Sequence, residues 1–159
     1  MPNILVIGGT GFIGSHLLKR VIKEGWSATS ISLHAPTERR FIDSVNYIQA
    51  NLDNEKEIMS CLCNGFDYVV NLGGYIDHKN FNDGGRDLID SHFIGVMNLV
   101  QSLPKDKLKC FVQIGSSDEY GNAVSPQKET IREQSISPYS FSKMAATHFL
   151  QMLNQTENF

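Results

Sequence analysis

The hydrophobic positions of the chain alternate between short runs rich in β-branched residues and longer runs with helical spacing. This alternation is typical of successive strand–helix–strand units, which build a parallel sheet. Because such crossovers are right-handed, we expect a Rossmann-type, doubly wound α/β sheet of order 3-2-1-4-5 with helices on both faces. The predicted strands are residues 3–7, 28–33, 46–49, 67–72 and 108–114.

Helical spacing of apolar residues follows the first strand and recurs before the fourth and fifth strands. Asp53 is a suitable N-cap for a helix through Cys63, and a long helix is expected from about residue 83 to 103. The last helix is predicted to begin at Ser137-Pro138, because Ser is favoured as the N-cap and Pro in the first helical position.

The composition is that of one globular domain, with 159 residues of which 41% are hydrophobic and 19% charged. A net charge of −3 and scattered Lys and Arg argue against a nucleic-acid partner. No apolar run approaches a membrane-spanning length, and the N-terminus lacks the basic region of a signal peptide. We therefore expect a cytoplasmic protein with no membrane partner.

Three cysteines, Cys61, Cys63 and Cys110, are an odd number, and the first two are too close for a paired zinc knuckle. We therefore expect them to be buried, reduced thiols. The histidines do not form a metal-ligand set, so no bound metal is expected.

A glycine-rich loop, GGTGFIG at residues 8–14, separates the first predicted strand from the first helix. Gly8 or Gly9 permits a tight turn, and Gly11 allows the backbone to approach a pyrophosphate. Gly14 lets the helix lie against the sheet, so that the helix N-terminus faces the negative charge. The loop predicts a dinucleotide cofactor, NAD or NADP.

The choice between NAD and NADP depends on the end of the second strand, where an acidic residue usually bonds the adenosine ribose. Ser32 occupies that position, with His34 close by and Arg39 and Arg40 further along. The arginines are either ligands of a 2′-phosphate or solvated surface charges, so both cofactors remain candidates.

A tyrosine and a lysine, Tyr139 and Lys143, lie four residues apart on the last predicted helix. They share a helix face, so the lysine ammonium can favour an ionised phenol. Pro138 places the tyrosine in the first turn, where the helix dipole favours negative charge. A phenol pKa must fall from near ~10 to near ~7 for base catalysis at neutral pH. The pair is either such a proton-transfer device or an ordinary polar helix face.

Five segments together resemble the extended short-chain dehydrogenase/reductases, the group of nucleotide-sugar epimerases, dehydratases and reductases. They follow the order and spacing of that family over nearly the whole chain. The segments are GGTGFIG at 8–14, NLGG at 71–74, HFIGVMNLV at 92–100, IGSSDEYGN at 114–122 and YSFSK at 139–143.

The resemblance implies an NAD(P)-dependent enzyme that acts on a nucleotide-activated sugar by hydride transfer. It implies that Tyr139 transfers a proton to or from a sugar hydroxyl and that Lys143 also bonds the nicotinamide ribose. In this family a Ser or Thr after the fifth strand holds the same sugar oxygen. Ser116 takes that position, with Ser117 as the neighbouring candidate.

An acidic pair after these serines, Asp118 and Glu119, bears on the reaction type. The pair resembles the acid and base with which the family's dehydratases remove water, so Asp118 is a further catalytic candidate. The alternative is two acidic residues on a solvated turn.

The resemblance also implies which residues contact the cofactor. Asn51 stands where an aspartate usually meets adenine, and its side-chain oxygen can still accept a hydrogen bond from adenine N6. His92 stands where an asparagine often supports the proton relay; a satisfied helix residue is the alternative. The implied cofactor residues are Gly8, Gly11, Phe12, Ile13, Gly14, Ser32, Asn51, Leu52, Leu72, Gly73, Tyr139 and Lys143.

Members of this family continue past the last helix for about as long again and so build most of the sugar-nucleotide pocket. We therefore expect residues 1–159 to be a single NAD(P)-binding Rossmann domain, C-terminally truncated relative to the family and lacking its final strands and substrate domain. The fifth strand becomes an exposed edge, for which we expect self-association into a homo-oligomer. The chain is either the cofactor-binding and catalytic half of a nucleotide-sugar enzyme or a non-catalytic dinucleotide-binding module.

Overall fold

A computed structural model describes residues 1–157 and 159 of the chain. The chain forms two compact units. The first contains Met1–Gly74 and Asn98–Ile114, and the second contains Tyr75–Met97 and Gly115–Phe159.

The first unit is built on five parallel strands. They are β1 (Asn3–Ile7), β2 (Ser27–Ser32), β3 (Val45–Gln49), β4 (Tyr68–Asn71) and β5 (Cys110–Gln113). The strands follow the order β3-β2-β1-β4-β5, which confirms the predicted topology. The central strand β1 reads NILVI, an almost continuous apolar run, as expected for a parallel strand that is buried on both faces.

The helices are α1 (Phe12–Lys23), α2 (Glu55–Cys61), α3 (Gly85–Ile89), α4 (Gly95–Ser102) and α5 (Pro138–Thr156). Within the first unit, α1 packs on one face of the sheet and α2 and α4 pack on the other, as predicted. On one face, Leu18 of α1 joins a buried cluster with Ile4 and Val6 of β1. On the other face, Leu5 packs with Ile58 of α2 and with α4. Alternate side chains of β1 therefore enter two separate cores.

The carboxyl ends of the strands lie level at one edge of the sheet. Ile7 pairs with Ile31 of β2 and with Asn71 of β4, and Asn71 pairs with Gln113 of β5. The loops that follow β1, β2 and β4 therefore leave from the same edge. In parallel α/β sheets this edge is where ligands bind.

Two helical details differ from the prediction. The N-cap of α2 is Asn54 rather than Asp53, because the Asn54 side chain accepts a hydrogen bond from the Glu57 N–H at 3.3 Å. The helix expected over about 83–103 is formed by α3 and α4 with a π-helical turn, Asp90–Ile94, between them.

The second unit is helical. In it α3, the π-helical turn and α5 pack together. Leu88 of α3 and Ala146 of α5 are completely buried, and the rings of Phe93 and Phe149 meet edge to face with centroids 6.1 Å apart. Across residues 1–157 and 159, no helix has both the length and the apolar character needed to cross a membrane.

The expectation of buried thiols is wrong for two of the three cysteines. Cys63 and Cys110 are exposed, and Cys61 is half-buried. Cys63 lies beyond the end of α2, and Cys110 lies on the edge strand β5, which also leaves Val112 42% exposed. Because β5 is last in the strand order, it is the edge strand that the sequence led us to expect.

Ile58→Ala is expected to lower the free energy of unfolding by about 2–5 kcal/mol, because it removes a fully buried side chain from the core beneath α2. Met59→Ala on the same helix is the matched control; Met59 is 61% exposed, and a loss below about 0.5 kcal/mol is expected. Urea denaturation followed by circular dichroism measures both. Equal losses would contradict the packing of α2.

Candidate functional site

The glycine loop after β1 is shaped by two of its glycines. Gly8 has φ = +75°, a left-handed conformation that glycine adopts without strain, so Gly8 makes the tight turn. The Gly11 N–H closes this turn by donating to the Gly8 carbonyl at 3.0 Å. A Cβ at Gly14 would overlap the same carbonyl oxygen. Helix α1 can approach the loop this closely because residue 14 is glycine.

The first turn of α1 presents backbone N–H groups to a ligand. Its N-cap is Gly11, which has no side chain to accept hydrogen bonds from them. The side chains of Phe12 and Ile13 are 69% and 61% exposed, so they do not enter the core. Uncapped N–H groups and the positive end of the helix dipole together suit a pyrophosphate. The loop and helix start therefore fit a dinucleotide.

Ser32 ends β2 at the predicted position and is buried. Its hydroxyl oxygen accepts a hydrogen bond from the Thr10 N–H of the glycine loop at 3.3 Å. Arg40 also contacts this loop, since its Nη1 donates to the Thr10 carbonyl at 3.0 Å. His34 and Arg39 are exposed. Of the two arginines considered from the sequence, Arg40 is the one that lies at the glycine loop.

Asn51 and Leu52 follow β3 at the same edge of the sheet. Asn51 Oδ1 accepts from the Asp53 N–H at 3.1 Å, and the Asn51 N–H donates to Glu57 Oε2 at 3.2 Å. The Leu52 carbonyl accepts from Asn98 Nδ2 at 2.8 Å. The predicted adenine contact of Asn51 would use the second lone pair of an oxygen that already shapes the loop.

Leu72 and Gly73 follow β4, and the buried Asn71 organises their turn. Asn71 Oδ1 accepts from the Gly73 N–H at 3.0 Å, and its Nδ2 donates to Gln113 Oε1 at 2.9 Å. The Leu72 N–H donates to the Ile7 carbonyl at 3.0 Å, which continues the ladder between β1 and β4. Asn71 thus ties the ends of β4 and β5 together.

The start of α5 forms as predicted. Ser137 is the N-cap; its Oγ accepts from the Ser140 N–H at 3.1 Å, and Ser140 Oγ accepts from the Ser137 N–H at 2.9 Å. Pro138 takes the first helical position. The reciprocal cap holds Tyr139 at the second position of a well-defined first turn.

Tyr139 is buried, only 7% exposed, and two histidines lie against its ring. His92 and His78 meet the ring edge to face, with centroids 5.3 and 5.9 Å away. Ser142 Oγ donates to the Tyr139 carbonyl at 2.7 Å. The sequence did not identify His78 or Ser142 as neighbours of the tyrosine. Ser142 follows Tyr139 by three residues on the same helix, and this spacing would have indicated that the two residues are neighbours.

His92 lies in the π-helical turn and is 3% exposed. Its Nε2 accepts from the Tyr75 N–H at 3.1 Å, and its Nδ1 lies 3.3 Å from Ser142 Oγ. The neutral ring therefore carries its proton on Nδ1 and donates it to Ser142. Burial, and to a smaller extent the charge of Lys143, lower the pKa of His92 to about 4. His92 is thus a neutral, fully hydrogen-bonded residue beside Tyr139.

Lys143 is buried one helical turn after Tyr139, with 7% of its surface exposed. Burial lowers the pKa of its ammonium group, and the negative charge of Glu119 acts in the opposite direction. A cation that is removed from water acts more strongly on a neighbouring oxygen than a solvated one does.

Ser116 is the N-cap of a short 3₁₀ helix, Ser117–Tyr120. Its Oγ accepts from the Asp118 N–H at 3.2 Å, and its N–H donates to Glu119 Oε1 at 2.8 Å. Glu119 is 6% exposed, so the alternative of a solvated turn is wrong for this residue. Asp118 is half-buried, as is Ser116, whereas Ser117 is exposed. Asp118 and Ser116 stay catalytic candidates, and Glu119 has a capping role that the sequence did not indicate.

The chain is similar to one protein family and to curated proteins that are named for nucleotide sugars. The profile of the NAD dependent epimerase/dehydratase family matches residues 4–159. The chain is 28% identical over 156 residues to a bifunctional UDP-glucose 4-epimerase and UDP-xylose 4-epimerase of Arabidopsis thaliana, a match that covers 89% of this chain and 44% of the relative. It is 28% identical over 129 residues to a UDP-N-acetyl-alpha-D-glucosaminuronate decarboxylase of Bacillus cytotoxicus, with 79% and 40% covered.

A solved structure shares the fold. It is a UDP-glucuronic acid 4-epimerase of Bacillus cereus in complex with NAD, with a TM-score of 0.83 and 21% sequence identity. The match covers 99% of this chain and 54% of that one. At this identity the likeness concerns the fold alone. The chain spans less than half the length of the two curated relatives.

Acid is expected to destabilise the fold through His92. Its folded pKa of about 4 lies below the ordinary value of 6.5, so the unfolded chain binds the proton more readily. The stability that the neutral His92 contributes is therefore complete above about pH 6.5 and is lost as the pH falls toward about 4, with roughly 2 kcal/mol lost by about pH 5. Urea denaturation at about pH 7.5 and about pH 5 measures this loss.

Replacing His92 tests this prediction, and replacing a second histidine is the control. His92→Asn, which does not titrate, is expected to lose less stability between the two pH values. The same substitution at the exposed His16 is expected to keep the wild-type loss. If His92→Asn retained the wild-type pH dependence, the buried neutral imidazole would be contradicted.

Glu119→Gln is expected to lower the pKa of Lys143 further. It removes the charge that opposes the effect of burial and keeps an oxygen for the Ser116 N–H. Acetylation of Lys143 by acetic anhydride, followed by mass spectrometry across a pH series, measures the titration. Glu24→Gln, at the exposed C-cap of α1, is the control and is expected to change nothing at Lys143. An unchanged titration in Glu119→Gln is the opposing result.

Proposed function

Because the chain belongs to the NAD dependent epimerase/dehydratase family, we propose that it is the cofactor-binding and catalytic portion of an enzyme of nucleotide-activated sugars. The proposed reaction is hydride transfer to or from the sugar, coupled to proton transfer by Tyr139. A bound nicotinamide dinucleotide supplies the hydride acceptor or donor. UDP-sugars are the proposed substrate class, since both curated relatives described above are named for them.

The glycine loop and the start of α1 are proposed to hold the pyrophosphate. The left-handed turn at Gly8, the close packing at Gly14 and the uncapped first turn of α1 support this role. Further proposed cofactor contacts follow β2, β3 and β4 at the same edge of the sheet. They are Ser32, Asn51, Leu52, Leu72 and Gly73.

The burial of Tyr139 and Lys143 in the first two turns of α5 carries the catalytic proposal. Removing an ammonium group from water costs several kcal/mol. A lysine on an ordinary polar helix face stays in solvent and does not incur this cost. A buried lysine whose pKa is lowered, as that of Lys143 is, is typical of functional sites. The pair is therefore better explained as a proton-transfer device than as a solvated face.

Each catalytic candidate has a proposed task. Tyr139 exchanges a proton with a sugar hydroxyl, and the Lys143 ammonium stabilises negative charge on the phenol oxygen and bonds the nicotinamide ribose. Ser116 Oγ accepts from the Asp118 N–H and so keeps its own hydroxyl proton, which it donates to the same sugar oxygen.

The capping role of Glu119 bears on the reaction type. A dehydratase of this family needs an acid and a base, and Glu119 is already engaged with the Ser116 N–H. This favours epimerase or reductase chemistry over dehydration. If the reaction is a dehydration, Asp118 is the proposed acid or base, as the half-buried carboxyl of the pair.

Assembly and location are further proposals. The exposed edge strand β5, with Val112 42% exposed, favours self-association into a homo-oligomer. A cytoplasmic location stays a prediction from the sequence.

Tyr139→Phe tests the proposed function. Turnover of a panel of UDP-sugars with NAD(H) and NADP(H) is expected to fall by roughly 10²–10⁴ in kcat, because the substitution removes the group that moves the proton. Binding of the cofactor is expected to persist. Tyr68→Phe is the matched control, because Tyr68 stacks on Trp26 through its ring and the substitution keeps that ring.

Two results would count against the proposal. One is turnover by Tyr139→Phe at the wild-type rate. The other is cofactor binding without turnover of any sugar in the panel, which is the result expected of a non-catalytic dinucleotide-binding module.

A further inference from the structure

We propose that the junction of the glycine loop with the end of β2 binds the 2′-phosphate of NADP, with Arg40 as its principal cation. The inference deepens the proposed function and rests on it for the dinucleotide site of the first unit. It concerns residues of that unit only. Its ligand is a phosphate monoester on the adenosine ribose.

The end of β2 has no carboxylate to repel a phosphate. Proteins that bind NAD usually place Asp or Glu there, where it bonds the ribose hydroxyls. Ser32 holds this position and is followed by Leu33 and His34. The Ser32 hydroxyl accepts from the Thr10 N–H at 3.3 Å, which keeps the glycine loop against β2. A 2′-phosphate at this position therefore meets a neutral hydroxyl rather than a negative charge.

Arg40 is held beside this position by three hydrogen bonds. Its Nη1 donates to the Thr10 carbonyl at 3.0 Å, and its backbone N–H donates to the Thr37 carbonyl at 2.8 Å. Its own carbonyl accepts from the Tyr47 hydroxyl at 3.3 Å. A guanidinium group carries five N–H donors in a planar fork. The Arg40 donors that do not bond the Thr10 carbonyl remain for a phosphate. Arginine binds phosphate through two parallel hydrogen bonds.

The charges of this segment also favour an anion. Within the described part of the chain, neither Arg39 nor Arg40 forms an ion pair with a carboxylate. His34 and Arg39 are exposed on the same connection between β2 and β3. Glu38 is the acidic residue between Ser32 and Arg40, and it is exposed. If both arginines were only solvated surface charges, there would be no need for the hydrogen bond that fixes the Arg40 guanidinium on the glycine loop.

Arg40 has one competing role, that of a clamp that merely keeps the glycine loop in shape. The two roles differ in what they do to the two cofactors. A clamp affects NAD and NADP alike, because both carry the same pyrophosphate. A phosphate ligand affects only the cofactor that has the 2′-phosphate.

The test is a fluorescence titration of the 159-residue chain with NADPH and, in parallel, with NADH. NADPH is expected to bind at least about tenfold more tightly, as one charge-assisted contact provides. Arg40→Gln is expected to weaken NADPH binding roughly tenfold to a hundredfold and to leave NADH binding within about twofold. Arg39→Gln makes the same charge change on the exposed neighbour and is expected to cost less than about threefold.

Calorimetry with adenosine 2′,5′-bisphosphate and with 5′-AMP repeats the comparison without the nicotinamide. The proposal is overturned if NADH binds as tightly as NADPH, if Arg40→Gln weakens both cofactors alike, or if the two arginine variants behave the same. Each of these results leaves the proposed function standing. Binding of neither cofactor, by a chain that circular dichroism shows to be folded, contradicts the proposed function itself and this site with it.

Discussion

Parallel pairing of β1 with both of its neighbours is the constraint on which the first unit depends. It sets Ile7 level with Ile31 and Asn71, so the chain must leave the middle of the sheet between two other strand ends. The chain needs a sharp turn to avoid these neighbouring strand ends. Gly8, in a left-handed conformation, makes this turn. The same crowding explains Gly14, where any side chain would overlap the loop that the turn creates. A site for a pyrophosphate thus follows from sheet geometry and two glycines.

The second unit depends on polar groups that are buried together. Tyr139, Lys143, His92 and Glu119 are each at most 7% exposed, which is a costly arrangement for a unit of this size. Hydrogen bonds offset part of the cost, since both nitrogens of His92 are bonded and Glu119 accepts from Ser116. The opposite charges of Lys143 and Glu119 offset another part. An apolar core would be more stable, so the buried polar groups are consistent with the catalytic role proposed for them.

The elements that were predicted correctly have local causes. Alternating periodicity gave the strand order, the glycine string marked the turn after β1, and Ser137-Pro138 marked the start of α5. Each signal lies within a few residues of the feature it specifies. The same locality explains why Tyr139 and Lys143 were found on one face of one helix.

The features that were missed depend on tertiary contacts. Nothing near Arg40 in the sequence shows that its guanidinium reaches Thr10, thirty residues earlier. The exposure of Cys110 follows from the position of β5 at the sheet edge, and the burial of Glu119 from its bond to Ser116. The N-cap of α2 is Asn54 rather than Asp53. The two adjacent residues have similar capping propensities, so backbone geometry determines which of them caps the helix.

A single-turnover experiment tests most directly whether this chain transfers hydride from a UDP-sugar to a nicotinamide dinucleotide. The chain is saturated with the oxidised cofactor and mixed with a UDP-sugar that carries deuterium on its ring, and the absorbance of reduced nicotinamide is followed together with transfer of that deuterium. The predicted result is a burst of reduced cofactor that carries the label. Stable binding of both cofactor and sugar, with no reduced cofactor formed, would contradict it.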